Sequence, residues 1–167
     1  GGLETVDLVF DEAAVVPMDA VRAWSLAGGE LPVLTEAIAD GSGLRLTLPT
    51  GVTADVVTIA VDFSVTDEAG YALDGETLDP TSPSLPSGDG RPGGPFVASF
   101  RVLSGDATGD GVVDGNDLGA LLDVFGEAND ELDVTGDGIV DGNDLGVILN
   151  NFNAELPAGD GTAPAVG

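Results

Sequence analysis

The chain has 167 residues, no cysteine and no histidine, and its 30 acidic residues against four basic ones give a formal net charge of −26. Such a charge disfavours nucleic acid and anionic lipid as partners, because phosphate groups would be repelled. The absence of cysteine and histidine excludes disulfides, thiolate zinc sites and catalysis by Ser-His-Asp or Cys-His groups. Oxygen ligands remain, and they favour calcium, magnesium or manganese.

Hydrophobic residues make up 43% of the chain and its mean hydropathy is positive, so we expect a folded core despite the acidity. Residues 1–103 alternate apolar and polar side chains, as strands with one buried face do. The pattern is clearest in four segments, 6–10, 44–48, 57–63 and 96–102, and weaker at 21–26 and 31–38. Six or seven short strands of this kind predict an all-β antiparallel sandwich.

The segment 79–95 is rich in proline, glycine and serine. It is interpreted as a long surface loop inside the β-domain, because the strand that follows it needs a sheet to pack against. An interdomain linker is the alternative.

From Ser104 onward the pattern changes and an internal repeat begins. Residues 106–119 read DATGDGVVDGNDLG, and 27 residues later 133–146 read DVTGDGIVDGNDLG. We predict that a helix follows each copy, with Asn116 and Asn143 as N-caps and Gly126 at the end of the first helix. The apolar stripes have the helical spacing i, i+3, i+4, i+7: Leu118, Leu121, Leu122, Phe125 and Leu145, Ile148, Leu149, Phe152.

Each repeat contains a twelve-residue segment, 106–117 or 133–144, with carboxylates at positions one, five, nine and twelve. Glycine at position six allows a sharp bend, and the seventh residue offers its backbone carbonyl. Calcium prefers six to eight oxygen ligands arranged around it in this way. Two calcium ions would bring the formal charge from −26 to −22 where repulsion is greatest, so we expect binding to contribute folding energy.

The loops depart from the usual EF-hand pattern at two positions. Threonine, a weaker neutral ligand, stands at position three where Asp or Asn is expected, and position twelve is Asp where Glu is usual. A strand-like segment precedes the first loop, so the predicted unit is loop–helix, twice, without an incoming helix.

The doubled GDxTGDGxVDGNDL unit resembles a type I dockerin over residues 104–153. The resemblance implies two antiparallel helices, each preceded by a calcium loop (an F-hand repeat), in a small module that docks cohesin modules of extracellular partner proteins. It also implies the ligands of two calcium ions: Asp106, Thr108, Asp110, Val112, Asp114 and Asp117, and Asp133, Thr135, Asp137, Ile139, Asp141 and Asp144.

The dockerin resemblance further implies a partner-binding face. Loop positions ten and eleven read Gly-Asn in both copies, where cellulosomal members often have Ser-Thr pairs. With the matching helix positions, the implied face comprises Gly115, Asn116, Leu122, Asp123, Gly142, Asn143, Leu149 and Asn150.

The N-terminal part is similar to bacterial Ig-like domains of the SbsA type, on VDLVFDE at 6–12 and VTDEAGYALDG at 65–75. This resemblance implies an Ig-like sandwich at 1–103 that acts as a spacer or adhesive module of a secreted protein. The predicted order is the sandwich, the calcium module at 104–153 and a flexible tail at 154–167.

Several residues have two interpretations. Core packing is the favoured role of the helical stripes, although part of that surface can also face a partner. Trp24 and Tyr71 are assigned to the sandwich core rather than to a carbohydrate platform. Ordinary turn chemistry is preferred over a third calcium site for the remaining acidic candidates: Asp67, Glu68, Asp74, Asp79 and Asp89.

The predicted function is calcium-dependent docking to a cohesin-like partner outside the cell or at its surface, without enzymatic activity. Paired carboxylates can hydrolyse glycosides, but here they cluster in the loops and no His, Lys or Cys assists them. The alternative is a calcium-stiffened structural segment of a surface or filament protein, with the helical module packed on its own or a neighbouring β-sandwich.

Overall fold

The computed structural model describes residues 5–10, 12–38, 43–49, 52–77, 81, 83 and 87–157. These residues are mostly β-sheet with two short helices, which is consistent with a β-sandwich plus a small helical part. They divide into two compact units. One contains Arg101–Pro157 together with 52–55, and the other contains Val56–Phe100 and the described residues of 5–49.

The strands form a three-stranded sheet in the order β1-β6-β5, a four-stranded sheet in the order β4-β3-β7-β9, and the small pair β2-β8. The pairings β1–β6, β5–β6, β3–β4, β3–β7 and β2–β8 are antiparallel. The strands are β1 Thr5–Val9, β2 Ala14–Val15, β3 Val21–Ser25, β4 Gly29–Leu31, β5 Leu34–Ala37, β6 Gly43–Thr47, β7 Ala54–Val61, β8 Thr66–Asp67 and β9 Phe96–Leu103.

Strand β7 is buried along nearly its whole length, on both faces, where its sequence pattern predicts only one buried face. It lies between β3 and β9 in the larger sheet. The hydroxyl of its buried Thr58 forms a hydrogen bond with the hydroxyl of Ser99, at 2.9 Å. An apolar cavity of about 300 Å³ is lined by side chains of both larger sheets, so their inner faces oppose each other: Val6 and Leu8 from β1, Ala98 and Phe100 from β9.

The predicted strand at 31–38 is two strands that belong to different sheets. β4 ends at Leu31 and pairs with β3, whereas β5 begins at Leu34 and pairs with β6. Proline lacks the N–H that a ladder requires, so Pro32 ends the first pairing and the chain crosses to the other sheet.

The described part of segment 79–95 belongs to the β-rich unit. Gly93 donates its N–H to the Leu73 carbonyl at 2.8 Å, and Thr77 exchanges hydrogen bonds with the backbone of Val97. Residues 78–80, 82 and 84–86 of this region lie outside the described residues.

The helical unit is built on α1, Gly115–Asp123, and α2, Gly142–Asn150. Its core consists of one residue before each helix and one within it, all with no exposed surface: Val113, Leu121, Val140 and Ile148. Leu118 and Leu145 pack against this core. Two short helices bury only a narrow stripe, so half of the predicted apolar positions remain exposed: Leu122, Phe125, Leu149 and Phe152.

The N-caps differ from the prediction. They are Asp114 and Asp141, whose backbone is extended and whose carboxylates accept the N–H of Asn116 and Asn143 at 2.7 Å. The asparagines therefore lie inside the first turn. Aspartate three residues after each cap returns a hydrogen bond to the cap backbone, which closes a capping box that asparagine at the predicted position would lack. α1 ends at Asp123, before Gly126.

Candidate metal centre

The first loop is closed by the carboxylate of its first residue. Asp106 accepts the N–H of Asp110 at 3.1 Å on one oxygen and that of Gly111 at 2.9 Å on the other. Gly111 has a φ of 93°, in the left-handed region that favours glycine. The turn therefore depends on the acidic residue at position one and on the glycine at position six, and the sequence pattern predicts the glycine bend.

The second loop repeats this closure. Asp133 accepts the N–H groups of Gly136 at 2.8 Å, Asp137 at 3.2 Å and Gly138 at 2.6 Å. The hydroxyl of Thr135 lies 3.2 Å from an Asp133 oxygen and 3.0 Å from an Asp144 oxygen. Positions one, three and twelve of this loop are thus brought together around one hydroxyl.

The aspartates at position twelve, Asp117 and Asp144, have no exposed surface. One oxygen of Asp117 accepts both the N–H and the hydroxyl of Thr108 at 3.0 Å, and the other accepts the N–H of Asp114 at 2.7 Å. Asp144 makes the same three contacts with Thr135 and Asp141. Each carboxylate therefore ties position three to position nine of its loop.

These hydrogen bonds control the ionisation of the two buried acids. Burial raises the pKa of Asp117, but the N–H of Asp114 and the N–H and hydroxyl of Thr108 outweigh burial and lower the pKa below its ordinary 3.8. Burial likewise raises the pKa of Asp144, but the N–H of Asp141 and the N–H and hydroxyl of Thr135 outweigh burial and lower the pKa below 3.8. Both side chains are thus held as carboxylates by neutral donors.

The remaining loop carboxylates turn towards their own backbone. Asp110 and Asp137 accept the N–H two residues further on, at 3.0 and 3.2 Å, and Asp114 and Asp141 cap the helices. Among the described residues, neither loop has three acidic groups whose oxygens all lie within 4.8 Å of one another.

One group of acids in the β-rich unit does meet that distance: Asp74, Glu76 and Asp89. Asp74 accepts the N–H of Asp89 at 3.0 Å and that of Gly90 at 2.7 Å. Burial raises the pKa of Asp74, but the Glu76 side chain and the Asp89 and Gly90 N–H groups lower it below 3.8. The backbone N–H of Glu76 lowers that residue's own pKa, but the hydrogen bond to Asp74, burial, and the negative charges of Asp74 and Asp89 together raise the pKa above 4.5.

Sequence reasoning named Asp74 and Asp89 as candidates and missed Glu76, whose carboxylate lies beside those of Asp74 and Asp89. Asp67 and Glu68 are not part of this group, and Asp79 lies outside the described residues. Asp67 instead accepts the N–H of Tyr71 at 2.8 Å, as ordinary turn chemistry predicts. The assignment of Tyr71 to the core is wrong, because Tyr71 is 68% exposed. Trp24 is half-buried.

The donor set of the two loops fits calcium. Ten of the twelve assigned ligands have side-chain oxygens, and Val112 and Ile139 would offer their backbone carbonyls. Rotation of the exposed position-five side chains towards the loop interior would add two more carboxylates. The loops therefore match calcium in the chemistry of their ligands and in the bend of the backbone, while the position-five carboxylates of Asp110 and Asp137 are hydrogen-bonded to the backbone two residues further on.

The eight residues of the implied partner face are all exposed. Gly115, Asn116, Gly142 and Asn143 form the first turns of the two helices, and the other four stand near the helix ends. Leu122 and Leu149, which are 27 positions apart, are exposed to 53% and 55%. The repeat therefore places two equivalent apolar side chains on the surface.

Comparison with protein-family models gave no match, and a search of curated proteins found no relative of this chain. Among the described residues, the helices are too short for any of them to cross a membrane.

Proposed function

We propose that the chain carries a calcium-dependent protein–protein interaction module of an extracellular or cell-surface protein. In this proposal residues 104–153 are a dockerin-like pair of calcium loops that docks a cohesin-like partner. The supporting observation is the duplication itself. Two loops, 27 residues apart, have the same oxygen-bearing residues, the same glycine bend and the same fully buried aspartate at position twelve.

Calcium would be held in each loop by side-chain oxygens of positions one, three, five, nine and twelve and by the carbonyl of position seven. A bound ion supplies positive charge that offsets repulsion among the four carboxylates of each loop. Asp106 and Asp133 close the loop, and Asp117 and Asp144 connect it to the helix. We therefore expect the helical unit to gain stability with calcium.

Calorimetric titration of the full chain with calcium tests the metal sites. We expect two ions per chain, and Asp117→Ala should weaken the first site more than Thr108→Ala, because it removes a charge and both oxygens of the position-twelve ligand. The matched variants of the second loop are Asp144→Ala and Thr135→Ala. Equal affinities for the Asp117 and Thr108 variants would contradict the ligand assignment, and no bound calcium would contradict the proposal itself.

The two exposed leucines provide the test of docking. Immobilised cohesin-type domains should capture the full chain in calcium and release it in EGTA. Leu122→Glu combined with Leu149→Glu should abolish capture while leaving calcium stoichiometry at two. Leu34→Glu is the control, since Leu34 is 76% exposed in the β-rich unit. Capture that survives both leucine changes, or that ignores EGTA, would contradict docking through this face.

A structural role is the second candidate, and one observation favours it. The compact unit that contains both helices also contains residues 52–55 and 101–103 from the ends of β7 and β9, and Ser104 donates its N–H to the Thr53 carbonyl at 2.7 Å. Calcium in the loops would then stiffen strand ends of an Ig-like spacer domain. No capture by cohesin-type domains, together with calcium-dependent thermal stabilisation of both units in one transition, would favour this role.

Neither candidate function requires catalysis by this chain. The acidic residues of the loops are occupied in closing turns and capping helices. The Ig-like sandwich would serve as a spacer or adhesive module beside the calcium loops. An extracellular location suits this proposal, because the loops use an ion that is abundant there and require no reduced thiol.

A further inference from the structure

We propose that the segment after each helix orients the position-seven carbonyl of the opposite loop, so that residues 153–156 set the calcium affinity of the first loop. This inference rests on the proposed calcium sites and deepens them. It assigns a role in cation binding to a segment that contributes no ligand and of which residues 154–156 belong to the predicted flexible tail.

Residues 153–156 pair with the first loop through main-chain hydrogen bonds around one isolated antiparallel bridge. Asn153 donates its N–H to the Val113 carbonyl at 2.8 Å, Val113 donates to the Ala154 carbonyl at 2.9 Å, and Leu156 donates to the Gly111 carbonyl at 3.2 Å. Val112 and Glu155 face each other across this bridge. The main-chain groups of Gly111 and Val113, on either side of the proposed position-seven ligand Val112, are therefore hydrogen-bonded to residues 153–156.

The second loop is held in the same way by the segment after α1. Gly126 donates its N–H to the Val140 carbonyl at 2.8 Å, and Val140 donates to the Glu127 carbonyl at 2.9 Å. These residues occupy the repeat positions equivalent to Asn153, Val113 and Ala154, so the two halves support each other reciprocally. The first loop has one additional main-chain bond, from Leu156.

The pairing determines where the position-seven carbonyl points. A planar trans peptide directs its N–H and its C=O in opposite directions. The Val113 N–H points to Ala154, so the Val112 carbonyl of the same peptide points away from the tail, towards the loop side. By the same reasoning the Glu127 carbonyl orients the Ile139 carbonyl. A ligand fixed before the ion arrives loses less entropy on binding than one that must be ordered.

The two loops therefore depend on different parts of the chain. The second loop is held by the connection between the helices, which truncation of the C-terminus leaves in place. The first loop is held by residues beyond α2, which a truncation removes. Loss of the tail should weaken the first calcium site selectively, whereas a general loss of core packing would weaken both sites.

The test compares the full chain with chains that end after Pro157 or after Phe152, by calorimetric titration with calcium. Each length is measured with Asp133→Ala, which leaves the first loop to bind, and with Asp106→Ala, which leaves the second. With Asp133→Ala, ending after Phe152 should weaken binding about tenfold or more, since three main-chain hydrogen bonds are lost. Ending after Pro157 should match the full chain, and with Asp106→Ala all three lengths should bind alike.

Two results would overturn the inference: unchanged affinity of the first loop after removal of 153–167, or equal weakening of both loops. Absence of calcium binding by the full unmodified chain would overturn the proposed function and this inference together. Two bound ions with a first loop insensitive to the truncation would overturn the inference alone.

A point variant covers the case in which the shortened chain fails to fold, as judged by circular dichroism. Leu156→Pro removes the N–H that binds the Gly111 carbonyl, fixes the backbone φ and replaces the leucine side chain, whereas Leu156→Val replaces the side chain but keeps the N–H. The proline variant should weaken the first loop about threefold relative to the valine variant, with the second loop unaffected. Equal affinities of these two variants for calcium at the first loop would count against the role of the tail.

Discussion

At the scale of single residues, the two loop glycines differ in their surroundings although their backbones are alike. Gly111 and Gly138 have φ values of 93° and 97°. A side chain on Gly111 would meet the guanidinium of Arg101, at 2.8 Å from the added carbon, whereas one on Gly138 would meet no atom within 4 Å. Because the end of an arginine side chain can move aside, the backbone rather than the neighbour sets the cost of substitution.

Gly111→Ala and Gly138→Ala should therefore each lower the free energy of unfolding by about 1–2 kcal/mol, the cost of left-handed backbone for an L-residue. Gly119→Ala is the matched control, since this glycine lies inside α1 with open space around it, and alanine there should stabilise by about 0.5–1 kcal/mol. Urea denaturation in EGTA, followed by far-ultraviolet circular dichroism, measures both effects. A much larger cost at Gly111 than at Gly138 would show that Arg101 is fixed in place.

The acidic group in the β-rich unit gives a prediction about pH. The pKa of Glu76 is raised above 4.5, so this residue stabilises the fold below its unfolded pKa and loses that contribution as the pH rises through its folded pKa. At neutral pH, Glu76→Gln removes a charge beside Asp74 and Asp89 and supplies an N–H donor in its place. The variant should melt at a higher temperature than the unmodified chain at pH 7, and this advantage should disappear below pH 4.5.

Thermal unfolding in EGTA, followed by the fluorescence of Trp24, measures this effect, because the single tryptophan lies in the same unit. Glu68→Gln is the control, an exposed acid outside the group. A variant that melts lower than the unmodified chain only when calcium is present would instead indicate that Glu76 binds the ion.

At the scale of elements, each helix begins with two reciprocal hydrogen bonds between Asp114 and Asp117, or between Asp141 and Asp144. In EGTA, Asp114→Ala and Asp141→Ala should each lower the free energy of unfolding by about 1 kcal/mol, the usual cost of a lost N-cap. Asn116→Ala removes a side chain of the first turn that is not the cap. It should lower the free energy of unfolding by only a few tenths of the loss caused by Asp114→Ala. Urea denaturation gives the comparison, and a larger loss for the asparagine variant would reverse the assignment of the caps.

Local patterns predicted the elements better than their ends or partners. Alternation placed β1, β6 and β9 within one or two residues, and the repeat placed both helices. The cap residue was missed because Asp114 and Asn116 are both good caps in isolation, and only the return bond from Asp117 decides between them. Burial of both faces of β7, exposure of Tyr71 and the approach of Asp89 to Asp74 and Glu76 depend on contacts between separated segments, which no local period encodes.

The same limit applies to the candidate metal centre. Spacing within each twelve-residue segment predicted the bend at Gly111 and Gly138, whereas Asp106 and Asp133 were assigned to calcium and their hydrogen bonds to the loop backbone were not predicted. The pairing of 153–156 with the first loop was not predicted, because its donors and acceptors are main-chain groups that every residue carries. The sequence shows which side chains can bind an ion, but it does not show which separated backbone segments will pair; that depends on the folded structure.

At the scale of the whole molecule, the net charge of −26 is itself a destabilising force. Eight of the 30 acidic residues occupy the two twelve-residue loops, four in each. Salt screens such repulsion, because the Debye length falls from about 30 Å near 10 mM to about 4–5 Å near 0.5 M. Bound calcium would act on the same repulsion by neutralising it locally.

The melting temperature of the helical unit should therefore rise with NaCl in EGTA, and rise much less in saturating calcium, where the ions already offset the loop charge. Circular dichroism at about 10 mM and about 0.5 M NaCl, in each buffer, gives the four values needed. Trp24 fluorescence in the same samples is the internal control, since the β-rich unit lies outside the loops and its salt response should not depend on calcium. Equal salt responses of the helical unit with and without calcium would mean that the loop carboxylates do not share an ion, which would contradict the proposed sites directly.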